Sequence, residues 1–283
     1  MTGLSFGYTD EKIRKKVVEM ILFFVTLAVL FLIYCRYATY QLVEKHFKIT
    51  KEDTLIVQKG KKAGWTIAQI SDSHFSLFYS PKRFDKIVAK LNDEKPDIVL
   101  FTGDLIENYR YWETRDCQKI SQQLAKINAS QGKFAILGNH DYRSNGQEAV
   151  SEILAAGGFT LLKNQSALVE QVSLTGIDDG QEGQPDYNTL PKDAPFSILM
   201  IHEPDQVQHL NDLGRFDLIL SGHSHGGQIR FPIFPYKNFG SKLYDQGIYA
   251  LTPKTSLVVN TGLGTTGPPL RFRVTPEILY FHL

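Results

Sequence analysis

Phe134-Ala135-Ile136-Leu137-Gly138-Asn139-His140-Asp141 is a short apolar run that stops at a glycine and then presents three side chains able to hold a cation or move a proton. An apolar run of that length, closed by a turn residue, reads as a buried strand. The pattern recurs along the chain. Trp65 to Ser71 leads into Asp72-Ser73-His74, Ile98 to Phe101 into Gly103-Asp104, Ile198 to Ile201 into His202, and Leu218 to Leu220 into Gly222-His223-Ser224-His225. Leu174 to Ile177, Leu257 to Asn260 and Ile278 to Phe281 are further runs of this kind. Longer helix-like stretches lie between them: Pro81 to Asn92, Cys117 to Ile127, Gly146 to Ala156 and Pro204 to Leu213. The alternation predicts an α/β layered domain.

Open α/β sheets gather their ligands at the carboxyl ends of strands, so the residues at these five run ends are predicted to converge although they are spread from Asp72 to His225. The donors are oxygen and imidazole without a thiolate, which suits Mn, Fe or Zn pairs and argues against a structural zinc site built on cysteines. Each fragment alone has a plainer reading. An Asp after a strand commonly caps the next helix, Gly103-Asp104 makes a turn, and a lone His202 is a satisfied core histidine. Gly222 to Gly227 is more telling, because two imidazoles at i and i+2 among small residues let the backbone approach a bound group closely. Caps and turns do not produce all five endings in one chain, and together they point to a metal site.

In this order, Asp-x-His, Gly-Asp, Gly-Asn-His-Asp, a strand-terminal His and Gly-His-x-His resemble the five blocks of the calcineurin-like metallophosphoesterases, over residues 66–283. The ending His223-Ser224-His225-Gly226-Gly227-Gln228, with an apolar segment at the N-terminus, is similar to the membrane-associated bacterial branch. The resemblance implies a four-layer α-β-β-α sandwich with a dinuclear centre between two sheets. It assigns one divalent metal to Asp72, His74, Asp104 and His225, and a second to Asp104 as bridge with Asn139, His202 and His223. It makes His140 the catalytic histidine at the transition state or leaving group, oriented by Asp141 or Glu107; the family pattern has Asp where this chain has Glu107. Arg143 is either a further phosphate ligand or an exposed arginine at a helix start. Two cations about 3.5 to 4 Å apart clamp both oxygens of an in-line displacement, and a hydroxide bridging them is a nucleophile at neutral pH.

Val17 to Cys35 is a run of 19 residues whose only charge is Glu19. That approaches the roughly 20 residues needed to cross a bilayer, and the run is apolar all round rather than striped. No small-residue cleavage site follows, so it reads as an uncleaved single-pass anchor. The expected organisation is a basic segment over 1–16, an anchor over 17–35, a connector over 36–64 and the phosphoesterase domain over 65–283. Lys12, Arg14, Lys15 and Lys16 precede the span and Arg36, Lys45 and Lys48 follow it, a bias that puts the N-terminus in the cytoplasm and the domain outside. Cys35 and Cys117 lie on opposite sides of the connector, which argues against a structural disulfide.

A net charge of +1 supplies no general field for a polyanion, which disfavours a nucleic-acid partner. The expected activity is a membrane-anchored phosphoesterase acting on a phosphodiester or pyrophosphate, with a lipid or envelope intermediate as substrate because tethering concentrates the site there. A non-catalytic metal-binding scaffold and a nuclease are the competing classes. The loop Asn260 to Pro269 resembles the family's final active-site loop; Arg271 and Arg273 beyond it are either anion contacts or solvated edge charges. Phe231 to Tyr236, apolar and broken by prolines, is either a core-packed loop or a lip facing the membrane.

Overall fold

Consecutive strand residues point to opposite faces, and Ile98 to Phe101 are apolar on both. Ile98 and Leu100 enter one core with Ile67, Phe134, Ile198, Met200 and Leu220, while Val99 and Phe101 enter another with Ile87, Leu91, Leu124 and Leu154. A strand buried this way must be covered on both sides, and the layers follow. The computed structural model describes residues 6–49, 55–57, 64–232 and 237–283. Residues 1–5 of the expected basic segment, 50–54 and 58–63 of the expected connector and 233–236 of the proline-broken stretch lie outside the described residues.

One sheet has seven strands, in the order β2 (Leu55–Val57), β1 (Val43–Ile49), β13 (Glu277–His282), β3 (Thr66–Ile70), β4 (Ile98–Thr102), β5 (Gly132–Ile136) and β6 (Phe159–Leu161). The second has six: β11 (Gly247–Ala250), β12 (Ser256–Val259), β10 (Leu218–Ser221), β9 (Phe196–Met200), β8 (Val172–Gly176) and β7 (Gln165–Val169). β3 to β6 run parallel, as do β8, β9, β10 and β12. β13 is antiparallel to β3, and β1 is parallel to β13. Helices α2 (Asp85–Glu94), α4 (Gln118–Ala125) and α6 (Gln147–Ala156) cover the first sheet. α2 stops at Lys95, which takes a left-handed conformation (φ 53°) just before Pro96. Two one-turn helices, α3 (Tyr109–Trp112) and α5 (Asn139–Tyr142), sit in loops at the strand ends.

The outer face of the second sheet is covered differently. Ile177, Leu199, Ile219 and Val259 pack against Val207, Phe216 and Tyr244, from 3-10 turns at Pro204–His209 and Leu213–Arg215 and the loops around them. The stretch from Pro204, expected to be helical, starts with proline and takes the tighter turn.

The reading of 36–64 as a connector, with the folded part starting near Trp65, meets a different arrangement. β1 forms a six-residue register with β13 from Val43↔Glu277 to Lys48↔His282. Its Phe47 is buried between the sheets and stacks on Phe281 at 5.4 Å. The sequence of β1, VEKHFKI, buries one residue in seven and so carries no strong strand signal. Removing it leaves β13 with an open edge and deletes a buried Phe, a loss of about 3 to 5 kcal/mol. We therefore expect a chain of residues 65–283 to melt roughly 6 to 20 °C below one of residues 41–283. Equal melting temperatures would place β1 outside the cooperative unit.

α1 (Phe6–Ala38) contains a segment, Glu11–Ala38, long and apolar enough to cross a membrane. None of its most apolar window is buried in the protein, which separates it from a core helix. Its last turns do touch the domain: Cys35 is buried, its carbonyl accepts the Arg271 N–H at 2.9 Å, and Phe31 and Tyr34 pack edge-on against Phe272.

Candidate metal centre

The parallel strands of both sheets end on one side of the sandwich, and their first loop residues meet there. Asp72 and His74 follow β3, Asp104 and Glu107 follow β4, Asn139 and His140 open α5 after β5, His202 follows β9, and His223 and His225 follow β10. The backbone turns sharply to deliver them. Asp72, His74, Asp104, His223 and His225 all have positive φ, between 46° and 65°. Left-handed backbone at non-glycine residues costs on the order of 1 kcal/mol or more each and persists where the surroundings over-determine it. Gln69, buried between the sheets, ties their ends together by donating to Thr102 Oγ1 at 3.1 Å and to the Ser221 carbonyl at 3.0 Å.

Two groups of donors result. In the first, His74 Nε2 lies 2.9 Å from His225 Nε2, and Asp72 Oδ1 lies 3.4 Å from His225 Nε2 and 3.8 Å from His74 Nε2. In the second, Asp104, His202 and His223 bring ligand atoms within 4.8 Å of one another, and Asn139 Oδ1 lies 3.2 Å from His223 Nδ1. Asp104 Oδ2 stands between the groups, 3.5 Å from His74 Nε2 and 3.2 Å from His202 Nε2. All seven side chains are buried.

The imidazoles are held as metal ligands need to be. His202 Nδ1 is 2.8 Å from the Thr102 carbonyl, which accepts its N–H and turns Nε2 inward. That Nε2 is buried and faces Asp104 Oδ2 at 3.2 Å. His223 Nε2 is 2.7 Å from the Phe239 carbonyl, turning Nδ1 toward Asn139. His74 Nδ1 is 2.8 Å from Glu107 Oε2, turning Nε2 toward Asp72, His225 and Asp104. An outer partner on the far nitrogen fixes the tautomer and raises the basicity of the near one. The donor set thus fits a pair of divalent cations.

The electrostatics agree. Burial raises the pKa of Asp72, but His225, His74 and His202 outweigh it and bring the carboxyl down to about 2. Asp104 is likewise held well below its ordinary value against its own burial, mainly by His202 and His140. Burial disfavours charge on His74, yet Asp72, Glu107 and Asp104 raise it to about 10. Two carboxylates, Asp72 and Asp104, gathered out of water with a third, Glu107, at the edge require positive charge beside them.

The residues expected around this set are placed less uniformly. Asp141 does not face the His140 ring. Its carboxylate accepts backbone N–H groups of Asp104 at 2.9 Å, Gly138 at 3.0 Å and Ile106 at 3.2 Å, bracing the loops after β4 and β5. Burial and the neighbouring Asp104 push its pKa up to about 7. Glu107 lies closer to His74 than to His140 Nδ1, which is 3.4 Å away, and also accepts from Thr266 and Gly267 of the final loop. His140 Nδ1 is 2.8 Å from the Glu107 carbonyl and 3.0 Å from Arg143 Nη1, and Arg143 is otherwise exposed. Burial lowers the pKa of His140.

Arg271 is neither an anion contact nor a solvated edge charge. It is fully buried and donates to the carbonyls of Thr261 at 2.8 Å, Gly262 at 2.9 Å and Gly264 at 2.7 Å, beside His225 Nδ1 at 3.4 Å. Arg273 is exposed. The Asn260 to Pro269 loop is stitched to the end of β3, with Leu263 N donating to the Ser71 carbonyl and Gly264 N to that of Asp72. Gln181, 3.2 Å from His223 Nε2, is a neighbour that no strand-end pattern announces.

The model of the calcineurin-like phosphoesterase family matches residues 66–227, a span that runs from β3 past His225. The chain is 37% identical over 264 residues to the uncharacterized metallophosphoesterase YkuE of Bacillus subtilis, covering 87% of this chain and 88% of that one. It is 26% identical over 259 residues to the phosphodiesterase YaeI of Escherichia coli, covering 88% and 90%. It is 27% identical over 234 residues to a transmembrane protein with metallophosphoesterase domain of Danio rerio, covering 76% and 52%. Every strand end that supplies the two donor groups lies inside the matched span, and the chain belongs to the calcineurin-like phosphoesterase family of metal-dependent hydrolases.

Proposed function

We propose that this chain is a membrane-anchored phosphoesterase with a dinuclear metal centre, hydrolysing a phosphodiester or pyrophosphate of a lipid or envelope intermediate. The observation that carries the reading is Asp104 Oδ2 standing between one imidazole of each donor group, both with their outer nitrogens tied. Asp72, His74, Asp104 and His225 hold one divalent ion, and Asp104, Asn139, His202 and His223 the other. When bound there, a pair of divalent ions would supply a water-derived nucleophile at neutral pH and would offset phosphoryl charge.

The protein's own groups do the rest. His140, with Nδ1 anchored on the Glu107 carbonyl, presents Nε2 to the substrate and carries the proton that the departing oxygen takes. Arg143 adds a positive charge beside that ring and contacts the phosphoryl oxygens. Glu107 keeps His74 in its binding tautomer, and Asp141 fixes the backbone on which Asp104 and Asn139 sit. A panel on the metal-reconstituted protein tests the reading. We expect bis-p-nitrophenyl phosphate to be hydrolysed faster than the p-nitrophenyl monoester, with activity abolished by chelation and restored by Mn, Fe or Zn. Chelator-resistant activity, or none toward any ester, would remove it.

Residues 17–35 span the membrane, and the four-to-three excess of Lys and Arg ahead of the span leaves the catalytic domain outside the cytoplasm. A tag at Leu283 should then be digested by protease added to intact spheroplasts. Its survival until the membrane is broken would reverse the orientation and put the substrate in the cytoplasmic leaflet.

A further inference from the structure

α1 enters the domain at the end that carries the metal centre. β1 runs antiparallel to the direction of β3, so its first residue, Val43, lies at the end of the sheet where β3, β4 and β5 finish. Residues 39–42 alone separate α1 from Val43, a reach of at most about 18 Å from Ala38. The loops at that end hold both the helix and the residues just after it. Arg83 donates to the Thr39 carbonyl and to the Phe78 carbonyl, and its guanidinium lies over Tyr40 and Tyr79. On the helix, Phe272 and Phe231 pack against Phe31, which belongs to the apolar run itself. A side chain that touches Phe31 sits at the depth of Phe31.

The same loops expose apolar side chains. Leu77 is 70% exposed, Phe78 46% and Phe231 48%. Leu77 and Phe78 follow His74, and Phe231 follows His225, so both groups continue directly from candidate ligands. Large apolar side chains beside basic ones, here Arg36, Lys82, Arg83 and Arg273, form the surface that settles into the headgroup and acyl boundary of a bilayer.

We propose that the catalytic end of the sandwich rests on the bilayer that α1 enters, with Leu77, Phe78 and Phe231 inserted at the interface. The centre is thereby held against phosphoesters at headgroup level of that leaflet. The inference rests on α1 spanning the membrane and adds an orientation that a tether alone does not impose.

Lipids brominated along the acyl chain test both separately, using the full chain in vesicles of phosphatidylcholine and phosphatidylglycerol. Phe24→Trp reports the helix, Leu77→Trp, Phe78→Trp and Phe231→Trp report the loops, and Leu168→Trp reports β7, at the sheet edge opposite β11. The loop positions are exposed enough to accept tryptophan, and three of them guard against one misfolded variant. We expect Phe24→Trp and the loop variants to lose roughly half or more of the added fluorescence and Leu168→Trp to lose none. Loop variants no more quenched than Leu168→Trp, with Phe24→Trp quenched, would overturn the docking and leave the anchor standing. An unquenched Phe24→Trp would overturn the anchor and the docking with it.

Discussion

Asp104→Asn is expected to empty both metal positions. Its Oδ2 faces His74 Nε2 and His202 Nε2 together, while its Oδ1 accepts the His140 N–H at 2.8 Å. Asparagine keeps the shape and one acceptor but removes the charge from two coordination spheres in one change. Changes to outer partners of metal ligands already cost about 10- to 100-fold, so turnover should fall by more than about 10². Gly138→Ala should act through the same carboxylate. A methyl there would lie 2.6 Å from His202 Nε2 and closer still to Asp104 Oδ1, and the backbone at Gly138 (φ −116°) is open to alanine, so the effect is steric. Elemental analysis of both purified variants checks this. Full occupancy with unchanged turnover in Asp104→Asn would contradict the bridging role.

His140→Ala should give the opposite dissociation: metals retained, kcat lowered by about 10² to 10⁴. The distinction needs measuring, because His140 lies within ligand reach of His74 and Asp104. What separates it from the candidate ligands is the exposed Arg143, whose guanidinium lies 3.0 Å from its Nδ1, whereas the outer nitrogens of His74, His202 and His223 face only a carboxylate, a carbonyl or an amide. A proton carrier also matters less when the leaving group departs as a stable anion. The loss should therefore be smaller for a nitrophenyl ester than for an alkyl ester. Metal loss as large as in His202→Ala would move His140 among the ligands, and equal losses for both esters would remove the proton from its role.

The strand ends were legible because each couples two local signals, an apolar run and the chemistry just after it. For β3, β4, β5, β9 and β10 that coupling holds in the structure, and the parallel topology gathers Asp72, Asp104, Asn139, His202 and His223 on one side. β1 carries no such coupling. Its burial depends on β13, more than 220 residues later, and a parallel partner at that distance leaves no trace in a window of seven residues.

The identity of the donors, their order and the apolar run of α1 are properties of the chain alone, since they depend on residue type and spacing. Which nitrogen of each imidazole turns inward, that Asp141 braces backbone instead of orienting His140, and that Arg271 closes the final loop instead of meeting an anion depend on partners far apart in sequence. So does the placing of α1 against the loop that Arg271 holds, through the Cys35 carbonyl. Side-chain type is local, whereas a hydrogen bond's partner and a ring's tautomer exist only once the sheets have packed and water has left the space between their ends.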